Sequence, residues 1–442
     1  MEPKPTGKTK EIAFSSRIEL PLKITYRQVE DKHLFIAPHN PTWIVTNDIG
    51  AFMLSPLREG YTIQDVLNFS VSQLGLTREK SLAEMKDLLM EIEARGFYRN
   101  IPPREVNPKD NLPSLQLFIT RSCNIRCIHC YMDAGLPMDD ELTLEEWKSV
   151  IDIFTDIYGK GWVTLSGGEP LCRDDFFEIA DYVKKKGHHL YLLTNGTLIK
   201  DMETAKRIAQ GVDDIQISLD GASREATDRI RGKGVFDKVV KAIDLMKQVD
   251  MKIKLAFMIF PENLKDLEEN LVPLVLSFDY PRISINIDDR PTNLGRATQF
   301  PPGSFMSPIH YRHSIDKIMR EIWAKGWAKR PTGILNHRLT TCGMGNGFTV
   351  DANGDVYPCP LPICKFGNLR QDDLVGLAKK TTRLREETSV ERMEKCTDCD
   401  LKYICIGSCR ILNYQVNGDF LVPSCNEQSK KIILYRMIDR WI

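Results

Sequence analysis

The sequence lacks net charge, because 60 Lys and Arg residues balance 60 Asp and Glu residues. A neutral chain has no global field to attract nucleic acid or an anionic membrane, so we predict neither as a partner. It also lacks an apolar run approaching the roughly eighteen residues of a membrane span. Its first twelve residues are lysine-rich and contain no apolar core for a signal peptide. We therefore expect a cytoplasmic protein.

Cysteine is the residue type that stands out, with twelve in the chain of 442 residues. The cytosol is reducing, so cysteines there are more often metal ligands than disulfides. The chain is too long for one compact core, and about two to three domains are expected. The positions of the cysteines therefore direct the search for function.

Three cysteines stand close together in a CxxxCxxC spacing formed by Cys123, Cys127 and Cys130. They follow an apolar run at residues 115–119 that is typical of a buried parallel strand. Structural zinc and iron–sulfur sites usually take four protein ligands, so three thiolates leave one metal position open to a small molecule. A chance cluster of cysteines is the alternative.

A second predicted strand, at residues 162–166, ends in a GGEP tetrapeptide. It begins roughly thirty-five residues after the cysteine loop, as in a strand–helix–strand unit, so both strand ends point to one face. The glycines let a ligand lie against the backbone, Glu169 offers a carboxylate to a cationic amine, and Pro170 fixes the turn. Alone, this tetrapeptide would predict only a turn.

Together, the CxxxCxxC loop and the GGEP turn resemble those of the radical S-adenosylmethionine (SAM) superfamily. The resemblance implies that a [4Fe-4S] cluster on the three cysteines binds the amino and carboxylate groups of SAM through its fourth iron. It also implies contacts from the fourth strand to the SAM ribose, from an arginine to its carboxylate and from an aromatic position to adenine. Turn-capping side chains and a solvated arginine are the alternative for these weaker positions. The residues predicted to bind SAM are Gly167, Gly168, Glu169, Pro170, Ser218 and Asp220 (ribose), Arg231 (carboxylate) and His129 (adenine).

A repeat of strands and helices extends from residue 114 to about 310. The predicted strands are 115–119, 162–166, 189–193, 214–219, 252–259 and 282–287, and the clearest helices are 144–158, 174–186 and 236–249. Right-handed crossovers would form the six strands into an α/β fold, a partial (βα)6 TIM-like barrel with its site at the carboxyl ends of the strands.

Residues 1–100 are predicted to form a separate winged-helix-like domain, followed by a linker at 101–113. Strands are expected at 18–25, 34–37 and 42–46, and helices at 49–54, 63–74 and 78–95, with Thr62, Thr77 and Gly96 as helix boundaries. The pattern is similar to leader-peptide recognition domains of peptide-modifying enzymes. It implies that an extended peptide adds to the sheet, with Trp43 and Val45 beneath it. A packing module without a ligand is the alternative.

The remaining cysteines follow a helical bridge at 311–340 and resemble the framework of a SPASM domain at 341–442. The resemblance implies two auxiliary [4Fe-4S] clusters, whereas a pair of zinc knuckles is the alternative. By resemblance, the distal cluster is held by Cys396, Cys399, Cys405 and Cys425, and the proximal cluster by Cys342, Cys359 and Cys409. The proximal set is one ligand short, and either Cys364 or a substrate thiolate completes it. Cys172 is interpreted as a buried apolar residue.

The whole pattern is similar to radical SAM maturases of ribosomally made peptides, in the sactisynthase and ranthipeptide group that forms thioethers. It implies SAM and three [4Fe-4S] clusters as cofactors, a precursor peptide bound through its leader, and an electron donor such as flavodoxin or ferredoxin. The 5′-deoxyadenosyl radical would abstract a substrate hydrogen, so no catalytic side chain is predicted. A thioether from a substrate cysteine is the predicted product. The alternatives are carbon–carbon cross-linking or epimerisation of a peptide, a haem-pathway or other small-molecule enzyme, and a non-catalytic iron–sulfur carrier.

Overall fold

The computed structural model describes residues 14–99, 104–105, 112–288, 292–300, 311–329 and 337–439. The predicted linker at 101–113 falls mostly outside these residues, apart from a two-residue strand and its last two positions. Among the residues described, no helix is both long and apolar enough to cross a membrane.

The elements follow one another in three groups, matching the predicted order of an amino-terminal domain, a barrel and a cysteine-rich domain. The strands are β1 Thr25–Val29, β2 Lys32–Ala37, β3 Thr42–Thr46, β4 Arg104–Glu105, β5 Ser114–Thr120, β6 Trp162–Gly167, β7 His189–Thr194, β8 Asp214–Ser218, β9 Ile253–Met258, β10 Ile283–Asp288, β11 His337–Arg338, β12 Gly347–Val350, β13 Asp355–Tyr357 and β14 Gly367–Asn368. The helices are α1 Asp48–Arg58, α2 Ile63–Leu74, α3 Arg78–Arg95, α4 Leu144–Tyr158, α5 Phe176–Lys185, α6 Met202–Gly211, α7 Arg224–Arg231, α8 Val235–Gln248, α9 Pro261–Ser277, α10 Arg312–Ala324, α11 Leu374–Glu387, α12 Lys402–Cys405, α13 Arg410–Asn417 and α14 Glu427–Ile438.

Six consecutive parallel strands, β5 to β10, form the barrel sheet in chain order. This confirms the predicted α/β partial barrel, with strand bounds within two residues of those expected. Buried and partly buried residues alternate along β7, β8 and β9. Every second side chain packs under the helices, and the others face the lumen of the barrel. The lumen side is polar: Tyr191 donates to Gln216 Oε1 at 3.1 Å, and Lys254 Nζ lies 5.2 Å from the Tyr191 ring centre.

The sheet does not end at β5, because β12 of the cysteine-rich domain pairs with it in parallel, Phe348 opposite Leu115. Strands β13 and β14 then extend the sheet in antiparallel pairing, giving nine strands. The sequence analysis missed this extension, because strands of two to four residues carry little periodic signal. As a consequence, the cysteine-rich domain lies directly beside the strand that leads into the CxxxCxxC loop.

The amino-terminal domain is a three-stranded antiparallel sheet packed on α1, α2 and α3. The helix predictions are confirmed, with Thr62 and Thr77 accepting capping hydrogen bonds and Gly96 ending α3 at a φ of 58°. The first strand prediction was wrong: β1 spans Thr25–Val29 and not 18–25. The apolar residues Leu20 and Ile24 pack into the helical core without strand pairing, so their alternation reflected burial only.

The same small sheet is packed on its second face against the carboxyl-terminal domain. Leu34, Ile36 and Trp43 contact Leu401 and Met437, and Trp43 Nε1 donates to the Met437 carbonyl at 3.3 Å. Ion pairs border this contact: Arg27 with Asp400 at 2.7 Å, and Arg312 with both Glu30 and Asp439. Trp43 and Val45 are therefore packed between domains, which corrects the expectation that they lie beneath a bound peptide.

We expect Trp43→Ala to weaken the docking of the amino-terminal domain on the carboxyl-terminal domain. The indole is 2% exposed, and removing a buried Trp side chain costs about 3–5 kcal/mol. Hydrogen exchange should rise in α14 and at Leu401, while the core of β5 to β10 stays protected. Leu22→Ala, at a residue that is 78% exposed, is the matched control. Equal protection of α14 in both variants would contradict the contact.

Candidate active site and iron–sulfur sites

The CxxxCxxC loop is closed on itself immediately after β5. Cys123 N donates to the Gly135 carbonyl at 2.9 Å, and Gly135 N donates to the Arg121 carbonyl at 3.0 Å. From outside the loop, Arg296 donates Nε to the Cys127 carbonyl at 3.0 Å and Nη1 to the Ala134 carbonyl at 2.8 Å. No local pattern marks Arg296 as part of the site, because its role depends on the chain returning to the loop after β10.

Two of the three thiols of this loop lie in a shared apolar setting, because Cys123 and Cys130 pack against Phe118 and Met132. Burial, followed by the negative charges of Glu169 and the other two cysteines, raises the pKa of Cys123 to about 12. A metal ligand must be a thiolate, so Cys123 stays protonated without iron and must release its proton when iron binds. Among the described residues, no three His, Cys, Asp or Glu side chains are grouped tightly enough to hold a single metal ion.

The GGEP turn lies against the backbone of the cysteine loop. Gly168 N donates to the Thr120 carbonyl and Glu169 N to the Ser122 carbonyl, both at 2.8 Å. A Cβ on Gly168 would come within 2.2 Å of the Ser122 oxygen, and Gly167 has a φ of 131° that favours glycine. The glycines are thus required for the close contact between β6 and the cysteine loop. The expectation from sequence was different, namely that they let a ligand lie against the backbone. Pro170 follows as the first residue of a short 3₁₀ turn and is buried.

Glu169 is fully buried and holds the end of β7. Its carboxylate accepts hydrogen bonds from Thr194 Oγ1 and Asn195 N at 2.7 Å, and from Leu171 N at 3.2 Å. Burial outweighs these bonds and raises the pKa of Glu169 to about 7. Asn195 in turn places Nδ2 at 3.9 Å from Cys123 Sγ. The carboxylate thus connects the ends of β6 and β7, and Asn195 extends this connection to the cysteine loop. The predicted contact of Glu169 with the SAM amine stays a prediction.

A buried charge network joins three of the residues predicted to bind SAM. Asp220 Oδ2 lies 2.7 Å from Arg231 Nη2 and 3.2 Å from His129 Nε2, and Arg231 Nη1 lies 3.9 Å from Cys127 Sγ. Burial by itself would raise the pKa of Asp220, but Arg231 and His129 outweigh it and hold the pKa well below its usual range. Arg231 is 7% exposed, so it is not the solvated arginine of the alternative. Ser218 ends β8, two residues before Asp220.

Two polar atoms of this network have no protein partner although they are buried: His129 Nδ1 and Arg231 Nε. An unpaired buried donor is costly, so such atoms usually meet a bound molecule or water. Both lie beside the cysteine loop, whose backbone at Ile128 donates to the Ile230 carbonyl at 3.0 Å. This arrangement fits SAM, a cofactor with carboxylate and ribose oxygens and adenine nitrogens as acceptors.

The predicted distal cysteines surround one cavity of about 480 Å³ in the carboxyl-terminal domain. Cys396, Cys399, Cys405 and Cys425 all line it. Burial and then the neighbouring thiols raise the pKa of Cys396 to about 11. Four thiols around one cavity, one buried and three partly buried, suit a cluster with complete protein ligation.

The predicted proximal cysteines form a second group a short distance away. Cys342, Cys359 and Cys409 pack around Met344 and Ile411, together with Cys364. Burial, followed by the other three thiols of this group, raises the pKa of Cys359 to about 12. The structure therefore brings all four candidate thiols together.

Arg410 lies between the two auxiliary groups, and its charge interacts with thiols of both, Cys342 and Cys409 on one side and Cys396 and Cys405 on the other. Its Nε donates to the Thr388 carbonyl, and Nη1 donates to the carbonyls of Ile406 and Ser408, at 2.6 to 2.7 Å. Nη2 is buried without a protein partner. A buried cation with a spare donor suits the negative charge and sulfur acceptors of iron–sulfur clusters. Nothing in the local sequence marked this residue.

Two family models match the chain in the regions just described. The radical SAM superfamily matches residues 117–271, and the SPASM iron–sulfur cluster-binding domain matches residues 342–400. The chain therefore contains a radical SAM domain and a SPASM domain, a combination that uses SAM and [4Fe-4S] clusters.

Curated relatives and solved structures agree with this class but differ in substrate. The AdoMet-dependent heme synthase of Methanosarcina barkeri is 29% identical over 69% of this chain and 92% of its own length. Mycofactocin maturase MftC of Mycolicibacterium smegmatis is 28% identical over 66% and 76%. SuiB of Streptococcus suis bound to S-adenosylmethionine has a TM-score of 0.53 at 15% identity, covering 93% of this chain and 100% of SuiB. SuiB bound to its precursor peptide SuiA gives the same TM-score and identity over 90% and 96%.

Replacing Cys123, Cys127 and Cys130 together by Ala should abolish formation of 5′-deoxyadenosine. The auxiliary thiols lie in separate groups, so the variant should keep substantial iron, which an iron assay and anaerobic spectra would measure. Continued SAM cleavage by the triple variant would show that the assignment is wrong.

Glu169 should make stability depend on pH. Its pKa is raised from 4.5 to about 7 in the folded protein, so the folded state holds the proton more tightly than the unfolded state. The contribution of Glu169 to the free energy of unfolding is fully present below pH 4.5 and is lost as pH rises to about 7. We compare wild type with Glu169→Gln, which does not titrate. The free energy of unfolding of wild type relative to this variant should fall between pH 4.5 and about 7 and stay constant at higher pH. Thermal unfolding of the SAM-free protein at several pH values measures this, and parallel pH profiles would contradict it.

Proposed function

We propose that this enzyme is a maturase of a ribosomally synthesised peptide, guided by the leader of its precursor. The observation that carries the proposal is the domain at residues 14–99, a three-stranded sheet on three helices that precedes the barrel. Two comparisons support it: MftC is named a maturase, and SuiB has been solved with its precursor peptide.

The sheet of this domain offers edges where an extended peptide could add as a strand. Among the described residues, β1 and β3 pair only with β2, so each keeps one outer edge without a strand partner. Tyr26, Arg27 and Gln28 on β1 have exposed side chains, and β3 lies beside α3, where Thr42 Oγ1 donates to the Arg95 carbonyl at 2.7 Å. Backbone pairing along an open edge supplies affinity without requiring a particular sequence.

The barrel would position SAM and substrate, and the cofactor would supply the radical chemistry. When bound, SAM and its [4Fe-4S] cluster supply a 5′-deoxyadenosyl radical that abstracts a substrate hydrogen. Arg231, Asp220 and His129 would hold SAM at the carboxyl ends of the strands. The polar lumen around Tyr191 and Gln216 would receive the substrate segment. A flavodoxin or ferredoxin is proposed as the electron donor.

The bond that forms is a separate question. A thioether to a substrate cysteine was predicted on the assumption that the proximal iron is open to a substrate thiolate. Carbon–carbon cross-linking and epimerisation need no such site. The ligation of the proximal cluster therefore decides between them.

A haem-pathway reaction is the second candidate, because the alignment with the heme synthase of Methanosarcina barkeri covers 92% of the length of that enzyme. That alignment leaves close to a third of this chain unmatched, since it covers 69% of it. A tetrapyrrole has no leader, so this reaction gives no role to a peptide-binding domain.

The two candidates differ in substrate and can be separated with the full-length reconstituted enzyme. We expect mass changes in a precursor peptide encoded beside the gene, slower turnover when its leader is removed, and partial recovery when the leader is added as a separate peptide. An iron porphyrin carrying propionates should remain unchanged. Turnover of the porphyrin with no change in any precursor would overturn the proposal.

A further inference from the structure

We propose that Cys364 is the fourth ligand of the proximal auxiliary site, so that four protein thiolates hold this cluster and no iron is left for a substrate thiolate. The ligand assignment stands on the geometry of this chain alone. Its consequence for the bond formed rests on the proposed function.

The β13–β14 hairpin brings Cys359 and Cys364 into one loop. Asp355 pairs with Asn368 and Val356 with Gly367. Cys359 lies two residues after the end of β13, and Cys364 lies three residues before the start of β14. The two thiols therefore stand on the two arms of the same closed loop, and both belong to one group of packed side chains.

The loop between the two cysteines is built to close the hairpin. Phe366 N donates to the Val356 carbonyl at 2.8 Å, and Ile363 N donates to the Leu361 carbonyl at 2.9 Å, which is a tight turn. Pro360 and Pro362 occupy loop positions, where no ladder N–H is needed and a fixed φ preorganises the turn. Prolines between two ligands would oppose joint ligation if the loop had to bend to bring the thiols together, and the closed turn removes that objection.

The surroundings of Cys364 also suit a ligand. It packs with Cys342, Cys359 and Cys409 around Met344 and Ile411, and at 9% exposure it is the most enclosed thiol of the four. A cation also lies close by, since Lys380 Nζ is 4.5 Å from the ring centre of Phe366, two residues after Cys364. A purely structural cysteine is the simpler explanation for a lone buried thiol, but Cys364 is grouped with three others.

Complete ligation closes the proximal iron to substrate sulfur. Direct capture of a substrate thiolate on that iron, the route behind the thioether prediction, would then be blocked. The bond formed on the peptide would arise without iron-bound substrate sulfur, as carbon–carbon cross-linking and epimerisation do.

Cys364→Ala and Cys172→Ala, reconstituted anaerobically as full-length proteins, test the assignment by iron content and electron paramagnetic resonance. Cys172 lies in the turn after Glu169, outside both auxiliary groups, and serves only as a control for iron content and auxiliary signals. We expect Cys364→Ala to lose about four irons per chain or to show an altered proximal signal, while Cys172→Ala retains wild-type values. Wild-type iron and an unchanged proximal signal in Cys364→Ala would overturn the proposal.

Two further measurements keep the test decisive if the Ala variant folds poorly. Cys364→Ser retains a small ligand atom and should keep its iron but shift the proximal signal, and an unshifted signal would refute ligation.

In Cys364→Gly, added 2-mercaptoethanol should restore a wild-type-like signal, whereas in wild type it should change nothing. A shift of the wild-type auxiliary signal on adding 2-mercaptoethanol would show an open iron. None of these readouts requires substrate, so they fail or succeed independently of the peptide proposal.

Discussion

Strand β5 is hydrogen-bonded on both edges, to β6 of the barrel and to β12 of the carboxyl-terminal domain, and the relative placement of the cysteine groups depends on that double pairing. Its carboxyl end leads into the CxxxCxxC loop, and on one side the GGEP turn is pressed against that loop through Gly168. On the other side Arg121 donates to Asp351 at the end of β12, through Nε at 3.0 Å and through Nη2. One strand thus joins the barrel that carries the CxxxCxxC loop to the sheet extension that leads to Cys359.

Buried charge is the second constraint, and it is concentrated where cofactors are expected. Asp220 and Arg231 are both almost fully enclosed, and Arg410 is 1% exposed with one nitrogen unpaired. Placing ions inside a protein is costly unless each is paired or meets an opposite charge. Asp220 and Arg231 offset one another, while Arg410 is compensated by thiolates of both auxiliary groups. The buried charge and spare donor of Arg410 therefore suit negatively charged iron–sulfur centres on both sides of it.

Much of the fold could be predicted because its signals are local. Helix α2 was bounded correctly by Thr62 and α4 by the period of its apolar residues, since caps and amphipathic spacing act within one or two turns. The barrel strands were found because each is a short apolar run at regular spacing. The first strand of the amino-terminal domain was misplaced, because Leu20 and Ile24 alternate like a strand but are buried by helices. The burial of Trp43 between two domains had no local signal at all, since its partner Met437 lies almost four hundred residues away.

The sequence by itself determined the cofactor class. Two patterns within short segments indicate an iron–sulfur cluster and SAM: the spacing of Cys123, Cys127 and Cys130, and the GGEP turn that follows. It also located the distal cysteines, whose spacing is equally local. The tertiary structure alone decided that Gly168 serves the contact between strands, that Arg410 lies between two cysteine groups, and that Cys364 packs with the three proximal cysteines. The reason is physical: each of these depends on strand register or on the return of a distant segment, and register is fixed by pairing across the sheet and not by the residues along one strand.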